Sequence, residues 1–350
     1  MEPRRIAKAS FDHQLSVDIF STAPQSADVE PEFYFQRVVQ IARWSEQAGC
    51  KGILVYTDNR LIDAWLVAQI IIESTEFLCP LVAVQPVYMH PYTVAKMVTS
   101  FAYVYGRQIY LNMVAGGFRT DLQALCDETP HDLRYERLLE YTTIIKQLLV
   151  SSSPVAFSGK FFQVRNLSLA PAMRADLLPG IFMSGSSEAG LAAARALDAT
   201  AIEYPKPCEE YRETPAERAN SGVRIGIITD ADRNKAWETA HQRFPGDRKG
   251  QLTHKLAMKV SDSHWHKQLS ELDHTQPGGE NLYWLWPFKN YQTFCPYLVG
   301  SHEEVSDELA RYIRVGFQNF ILDIPADEQD LGNTGVVFRK AVEKVQSVVK

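Results

Sequence analysis

The strongest constraint in this chain is a rhythm: a short apolar run followed by a helical pattern, repeated eight times. The runs are LSVDIF (15–20), KGILVY (51–56), LCPLVAV (78–84), QIYLNMV (108–114), IFMSG (181–185), TAIEY (200–204), GVRIGIITD (222–230) and FILDI (320–324). Seven of the eight lead into a helix or helix candidate, such as EFYFQRVVQIARWSEQAG (32–49) and RYERLLEYTTIIKQLLV (134–150). Runs that are apolar throughout, not alternately, suit parallel strands covered on both faces. Eight such units in 350 residues predict an α/β fold, a single (β/α)8 TIM-barrel domain over 1–350. Two stretches break the rhythm. PVAFSGKFFQVRNLSLAPA (154–172) reads as an inserted hairpin closed at Ser158-Gly159-Lys160. Residues 244–300, rich in His, Trp, Tyr, Pro and Gly, read as a lid-like insertion in which Trp284, Trp286, Phe288 and Tyr291 supply apolar cover and Lys289 is a candidate latch.

Composition narrows the function classes. A net charge of -6 with scattered Lys and Arg gives no footprint for nucleic acid. No apolar run reaches the roughly 18 residues of a membrane helix, and MEPRRIAKASFDHQ lacks the apolar core of a signal peptide, so a cytoplasmic protein is expected. The five cysteines are widely spaced without a C-x-x-C pair, which predicts neither a zinc site nor a disulfide framework. His264 and His266, with His254 and His274 nearby, lack supporting carboxylates and read as loop histidines, so no metal site is expected.

In such barrels the chemistry sits at the carboxyl ends of the strands. Those ends offer Asp18, Thr57, Asp58, Gln85, Asn112, Ser186, Glu203, Arg224 and Asp323. The junction FMSGSSEAG (182–190) places Gly185, Ser186 and Ser187 directly before a strong helix. The first turn of a helix leaves backbone N–H groups unpaired, so Gly beside Ser there makes a small anion site; Ser in that place is equally an ordinary N-cap.

Six segments, in order and at barrel spacing, resemble the bacterial-luciferase-like flavin monooxygenases, nearest their alkanesulfonate branch. They are AGCKGILVYTDNRLIDAWLVA (48–68), HPYTVAKMVTS (90–100), IYLNMVAGG (109–117), HDLRYERLLEY (131–141), SGSSEAGLAAA (184–194) and PYLVGSHEEVSDELARYIRVGFQNFIL (296–322). The resemblance implies reduced FMN as cofactor, delivered by a separate NAD(P)H:flavin reductase, and transfer of one oxygen atom from dioxygen to a small-molecule substrate by a homodimer or homotetramer. It implies that Gly185, Ser186 and Ser187 hold the FMN phosphate with Tyr135 close by, and that Asn112 sits beside the ring; Thr57 is counted with them as a cofactor-binding residue.

The departures are as informative. Leu61 stands where the alkanesulfonate enzymes carry a Cys, Ala115 where the family has a Thr, and Glu203 where it has a Trp. The family's Arg-x-His keeps its Arg as Arg224 but has Gly226 for the His, and the Tyr expected after the eighth strand has no match near LDIP. The flavin half is retained and the substrate half rewritten. Arg224, Asn112, Asp58 and Glu203 are therefore the candidate catalytic residues, Arg224 either stabilising negative charge formed during oxygen activation, binding substrate, or pairing with a carboxylate such as Asp58. Carboxylates at the mouth, Asp58 and Glu203 with Asp18 and Asp323, favour an amine-bearing substrate. Two rival readings share the barrel: a deazaflavin-dependent hydride-transfer enzyme, and a non-catalytic flavin-binding protein.

Overall fold

All eight apolar runs form strands, and all eight lie parallel in one closed barrel. The computed structural model describes residues 17–116, 119–185, 187–211, 220–260, 269 and 280–349. In chain order the strands are β1 (Asp18–Thr22), β2 (Gly52–Val55), β3 (Cys79–Val84), β4 (Tyr110–Val114), the hairpin β5 (Val155–Ser158) and β6 (Gln163–Leu167), β7 (Ile181–Ser184), β8 (Thr200–Glu203), β9 (Ser221–Asp230), β10 (Tyr283–Trp284), β11 (Tyr297–Ser301) and β12 (Asn319–Leu322). The barrel runs β1-β2-β3-β4-β7-β8-β9-β12 and closes where β12 pairs with β1. Around it stand α1 (Pro31–Gln47), α2 (Ala64–Ser74), α3 (Pro91–Tyr105), α4 (Arg119–Ala124), α5 (His131–Val150), α6 (Glu188–Leu197), α7 (Arg233–Arg243), α8 (Arg248–Val260), α9 (Trp286–Lys289), α10 (His302–Val315) and α11 (Glu328–Val349).

Local chemistry sets the boundaries. Asp63, His90 and Ser187 each accept a first-turn N–H as N-caps of α2, α3 and α6, and Ser301 with Glu304 forms a capping box on α10. The expected hairpin forms, and its turn is tied down by Glu140 of α5, whose carboxylate accepts the N–H groups of Lys160, Phe161 and Phe162 at 2.8, 2.9 and 3.1 Å.

The strand pleat sorts side chains into two environments. Phe20, Leu54, Leu81, Tyr110, Phe182, Ile202 and Ile321 form one cluster inside the barrel. Their neighbours Ile53, Val55, Val82, Leu111, Met113 and Met183 join the cluster shared with the helices. Three rings lock the interior: Phe20 meets Tyr110 and Phe182 edge-on at 5.6 and 5.0 Å, and Tyr110 meets Phe182 at 5.9 Å. Below them, at the amino end of β1, Asp18 pairs with Lys51, whose ammonium lies 5.4 Å from the Tyr110 ring centroid. Asp18 was expected at the mouth; it closes the opposite end because β1 begins with it.

The larger departure concerns 244–300. Strand β9 is ten residues long, and its second half, Gly226–Asp230, leaves the barrel wall to pair with β11, which pairs in turn with β10. Trp284, Leu285, Phe288, Cys295 and Tyr297 are each no more than 2% exposed, so this part of the segment is core, not mobile cover. Residues 261–268 and 270–279, with His264, His266 and His274, lie outside the described residues. Among the described residues no helix is long and apolar enough to cross a membrane, and no cluster of three His, Cys, Asp or Glu side chains is placed to hold a metal.

The interior ring cluster generates a stability prediction. Phe20 is fully buried, so Phe20→Ala should destabilise the fold by about 3–5 kcal/mol. Urea denaturation of the two proteins checks this; a loss below about 1 kcal/mol would mean the barrel interior relaxes around the cavity.

Candidate functional site

One step along the barrel from the ring cluster, toward the carboxyl ends, the inward positions are Thr22, Tyr56, Ala83, Asn112, Ser184, Tyr204 and Asp323, with Arg224 of β9 between the last two. On the β4–β7 side the strand-end contacts are neutral, with one cation behind them: Arg134 of α5, 2% exposed, donates from Nη1 to the Gly116 carbonyl at 3.2 Å. Ser184 donates from Oγ to Asn112 Oδ1 at 2.9 Å, which ties the end of β7 to the middle of β4 and buries Asn112 to 5% exposure. The next residue, Gly185, has φ +155°, and a Cβ there would lie 2.4 Å from Tyr135 Oη. Only glycine lets the Tyr135 hydroxyl close onto this turn. Burial raises the Tyr135 phenol pKa, with the Ser187 side chain and the Arg134 charge opposing it. Ser187 also accepts the Gly190 N–H at 3.1 Å, so the capping role anticipated for it is present. Ser186 lies outside the described residues.

Next to this turn, a groove of about 820 Å³ runs along the α4–α5 connection past Arg119, Glu128 and His131. The His131 ring meets Tyr135 edge-on at 5.3 Å, which joins the groove to the turn. The connection is clasped by an ion pair. Arg137 of α5 reaches Asp127 at 2.7 Å, and Thr129 adds its N–H and hydroxyl to the same carboxylate at 3.2 and 2.6 Å. Against the upward push of burial, these hydrogen bonds hold Asp127 down at about 2.

The opposite side is charged. Arg224 is 6% exposed; its guanidinium lies 4.8 Å from the Tyr56 ring centroid and 5.9 Å from that of Tyr204, and Nη1 donates to Tyr204 Oη at 3.3 Å. Its ionic partner is Asp323, with Nη2 and Oδ1 3.5 Å apart. Nε and Nη2 are buried with no hydrogen-bond partner. Asp323 is held from elsewhere: Oδ2 accepts from Thr293 Oγ1 and, at 2.8 Å, from Tyr297 Oη. Burial raises the Tyr204 phenol well above its ordinary value, with the Cys295 and Asp323 charges adding.

These contacts correct the expected pairings. Asp58 is not the partner of Arg224; it accepts the Arg60 N–H at 2.6 Å, pairs with the exposed Arg60 guanidinium at 3.5 Å and belongs to the rim. There Tyr88 donates to Asn59 at 2.7 Å and Asn59 donates to the Asp121 carbonyl at 3.0 Å; burial first, then the Asp58 charge, raises the Asp121 carboxyl. Half-buried Thr57 lies between Tyr56 and this rim. Glu203 follows the inward Ile202, so the pleat turns it to the outer face and Tyr204 takes the place beside Arg224.

Sequence reasoning missed Tyr56, Tyr204, Thr293 and Tyr297. Parity counting from Ile202 would have found Tyr204. Gly226 within a strand was the signal for Tyr297: a Cβ there would meet the Tyr297 ring at 2.3 Å, so the glycine marks a close approach.

Residues 15–319 match the luciferase-like monooxygenase family. A relative from Niallia circulans, the monooxygenase BtrO, is named for a 4-(γ-L-glutamylamino)butanoyl group on the acyl-carrier protein BtrI; it is 34% identical over 304 residues, covering 85% of this chain and 89% of the relative. Among solved structures, the EDTA monooxygenase of Chelativorans sp. BNC1 superposes with a TM-score of 0.69 at 13% identity, covering 94% of this chain and 95% of that one. The long-chain alkane monooxygenase LadA gives 0.70 at 15% identity, covering 95% and 92%. At such identities these two establish likeness of fold.

The Asp127 clasp has a pH signature. Its folded pKa of about 2 lies below the roughly 3.9 of an unfolded aspartate, so its stabilisation is present above about pH 4 and is lost as pH falls toward 2. Arg137→Gln should remove on the order of 2 kcal/mol at neutral pH and flatten the acid limb. Urea titrations at pH 7, 4 and 3 measure this; an unchanged acid slope would assign the limb to other carboxylates.

Proposed function

Because the chain belongs to the luciferase-like monooxygenase family, we propose that it is the oxygenase of a two-component flavin system. In this reading it takes reduced FMN from a separate NAD(P)H:flavin reductase and oxygenates an amine-bearing acyl substrate. The observation that carries the reading is the 34% identity to BtrO over 85% of the chain, a relative whose named acyl group bears an amine. When bound, reduced FMN supplies the electrons that activate dioxygen, so that one oxygen atom enters the substrate and the other leaves as water.

Two features of the chain fit that cofactor. The turn at Gly185 is too tight for any side chain, presents the first turn of α6 and keeps the Tyr135 and Ser187 hydroxyls together, a neutral donor set suited to a phosphate. Across the mouth, Arg224 keeps two buried nitrogens, Nε and Nη2, without hydrogen-bond partners, which suits negative charge arriving with the substrate or developing near it. Between them Asn112, its orientation fixed by Ser184, offers an amide to a ring with polar edges. The tyrosine rings on Arg224 exclude water from the guanidinium, which strengthens its field at the reacting end.

Ser187→Asp places an anion at the start of α6, and reduced FMN affinity should fall at least about tenfold, since a like charge there opposes the phosphate. Anaerobic fluorescence titration gives the constant; no change would remove this turn from the flavin site. The activity itself is tested by incubating the protein with FMN, a flavin reductase, NADH and ¹⁸O₂, using 4-aminobutanoyl and 4-(γ-L-glutamylamino)butanoyl thioesters. One ¹⁸O atom per product, dependent on FMN and reductase, is the expected mass-spectrometric result. Oxygen-independent hydride transfer with a reduced deazaflavin, or tight flavin binding with no turnover, would overturn it.

A further inference from the structure

The Arg224–Asp323 pair is built unlike the other buried ion pairs among the described residues. Arg137 meets Asp127 at 2.7 Å, and Arg243 meets Asp330 at 3.0 and 3.1 Å through two nitrogens. Those pairs are closed. Arg224 and Asp323, with side chains only 8% and 13% exposed, stand 3.5 Å apart through a single contact. That separation exceeds ordinary hydrogen-bond length.

Each partner is also fixed from outside the pair. The Tyr56 and Tyr204 rings and the Tyr204 hydroxyl hold the guanidinium, while the Thr293 and Tyr297 hydroxyls both donate to Oδ2 of Asp323, with the Cys295 thiol also beside the carboxylate, and Oδ1 is the oxygen that faces Arg224. A group entering between them would find both charges held in place. The two unpartnered nitrogens, Nε and Nη2, form the side edge of the guanidinium, the fork that accepts a carboxylate through two parallel hydrogen bonds. The other inward side chains of this step, Thr22, Tyr56, Ala83, Asn112, Ser184 and Tyr204, are neutral residue types, so at this step of the barrel interior opposite charges face each other only here among the described residues.

We propose that Arg224 and Asp323 clamp the zwitterionic head of an amino-acid-terminated substrate, Arg224 taking the α-carboxylate on its Nε–Nη2 edge and Asp323 Oδ1 taking the α-ammonium. This rests on the reading of the barrel mouth as the substrate site of a monooxygenase, and makes Asp323 its specificity-determining residue. The chemistry matches the γ-L-glutamyl group in the name of BtrO's substrate, because a γ-linkage uses the side-chain carboxyl and leaves the α-amino and α-carboxylate groups free.

The test is equilibrium binding, read without turnover. Calorimetric titrations under argon, with photoreduced FMN and again without flavin, use three probes: the N-acetylcysteamine thioester of 4-(γ-L-glutamylamino)butanoate, its α-N-acetyl derivative and its α-methyl ester. The natural protein should bind the zwitterion at least tenfold more tightly than either derivative. Asp323→Asn should erase the discrimination against N-acetylation and keep that against esterification; Arg224→Gln should do the reverse. Equal binding of all three probes, no binding of any, or uniform weakening by both substitutions would overturn the clamp. Should Asp323→Asn fail to fold, the three-probe series on the natural protein decides alone. The ¹⁸O experiment separates the two readings. Labelled product from 4-aminobutanoyl thioester without head-group selectivity retains the monooxygenase and discards the clamp, whereas selectivity without label does the opposite.

Discussion

The pleat of a closed parallel barrel governs this molecule. Once Phe20, Leu54, Leu81, Tyr110, Phe182, Ile202 and Ile321 fill the interior, each strand has a fixed parity, and a slip of one residue would exchange core for site. The next inward residues are then determined: Asn112 and not Met113, Ser184 and not Met183, Tyr204 and not Glu203. The two faces of the site thus inherit their composition from an apolar layer that takes no part in the chemistry. The ring contacts among Phe20, Tyr110 and Phe182 bring β1, β4 and β7 to a common level, and the bond from Ser184 to Asn112 continues that alignment upward.

The second constraint is the length of β9. A strand of ten residues cannot stay within a barrel whose other strands have four to six, so its second half recruits β11. The side chains of this added strand cross back toward the mouth. Tyr297 lies over Gly226 and reaches Asp323, and Thr293 reaches the same carboxylate from the approach to the strand. An insertion that looked like cover for the site therefore supplies part of its wall. The substitution of Gly for the His that the resemblance leads one to expect is the geometric condition for this. Any side chain at 226 would occupy the volume of the Tyr297 ring, so the two positions act as one unit.

Much of the architecture was legible because it depends on local pattern. Apolar runs at barrel spacing gave every barrel strand, and Ser-Gly-Lys gave the hairpin turn. Three of the residues proposed for the flavin, Asn112, Gly185 and Ser187, stood out for the same reason, since each lies on or just after a barrel strand. What escaped depends on pairing between distant segments. β10 and β11 are short and flanked by aromatic, Pro-rich sequence that does not distinguish strand from loop. Asp18 was read at the wrong end because LSVDIF contains no mark of where pairing begins, and β1 starts only at Asp18. Glu203 drew attention as a charge, though its parity turned it outward. The partner of Arg224 required knowing that β9 and β12 are neighbours, which barrel closure dictates and no local pattern reveals.

The distribution of charge follows the same division. On the β4–β7 side the described contacts of the strand ends and turn are between neutral groups, Ser184 with Asn112 and Ser187 with the Gly190 N–H, while one buried cation, Arg134, stands behind them on the Gly116 carbonyl. In the proposed flavin site a phosphate would bring its own charge there and need donors, with the dipole of α6 supplying the field. On the β9–β12 side a cation and an anion are buried together, an arrangement whose desolvation cost is offset only by close pairing or by added hydrogen bonds. Arg243 and Asp330 take the first course, with contacts at 3.0 and 3.1 Å. Arg224 and Asp323 take the second, spending their hydrogen bonds on tyrosine and threonine hydroxyls and leaving the pair itself open. An open buried pair stabilises the fold less than a closed one, and its remaining polar capacity is directed at whatever enters the mouth of the barrel.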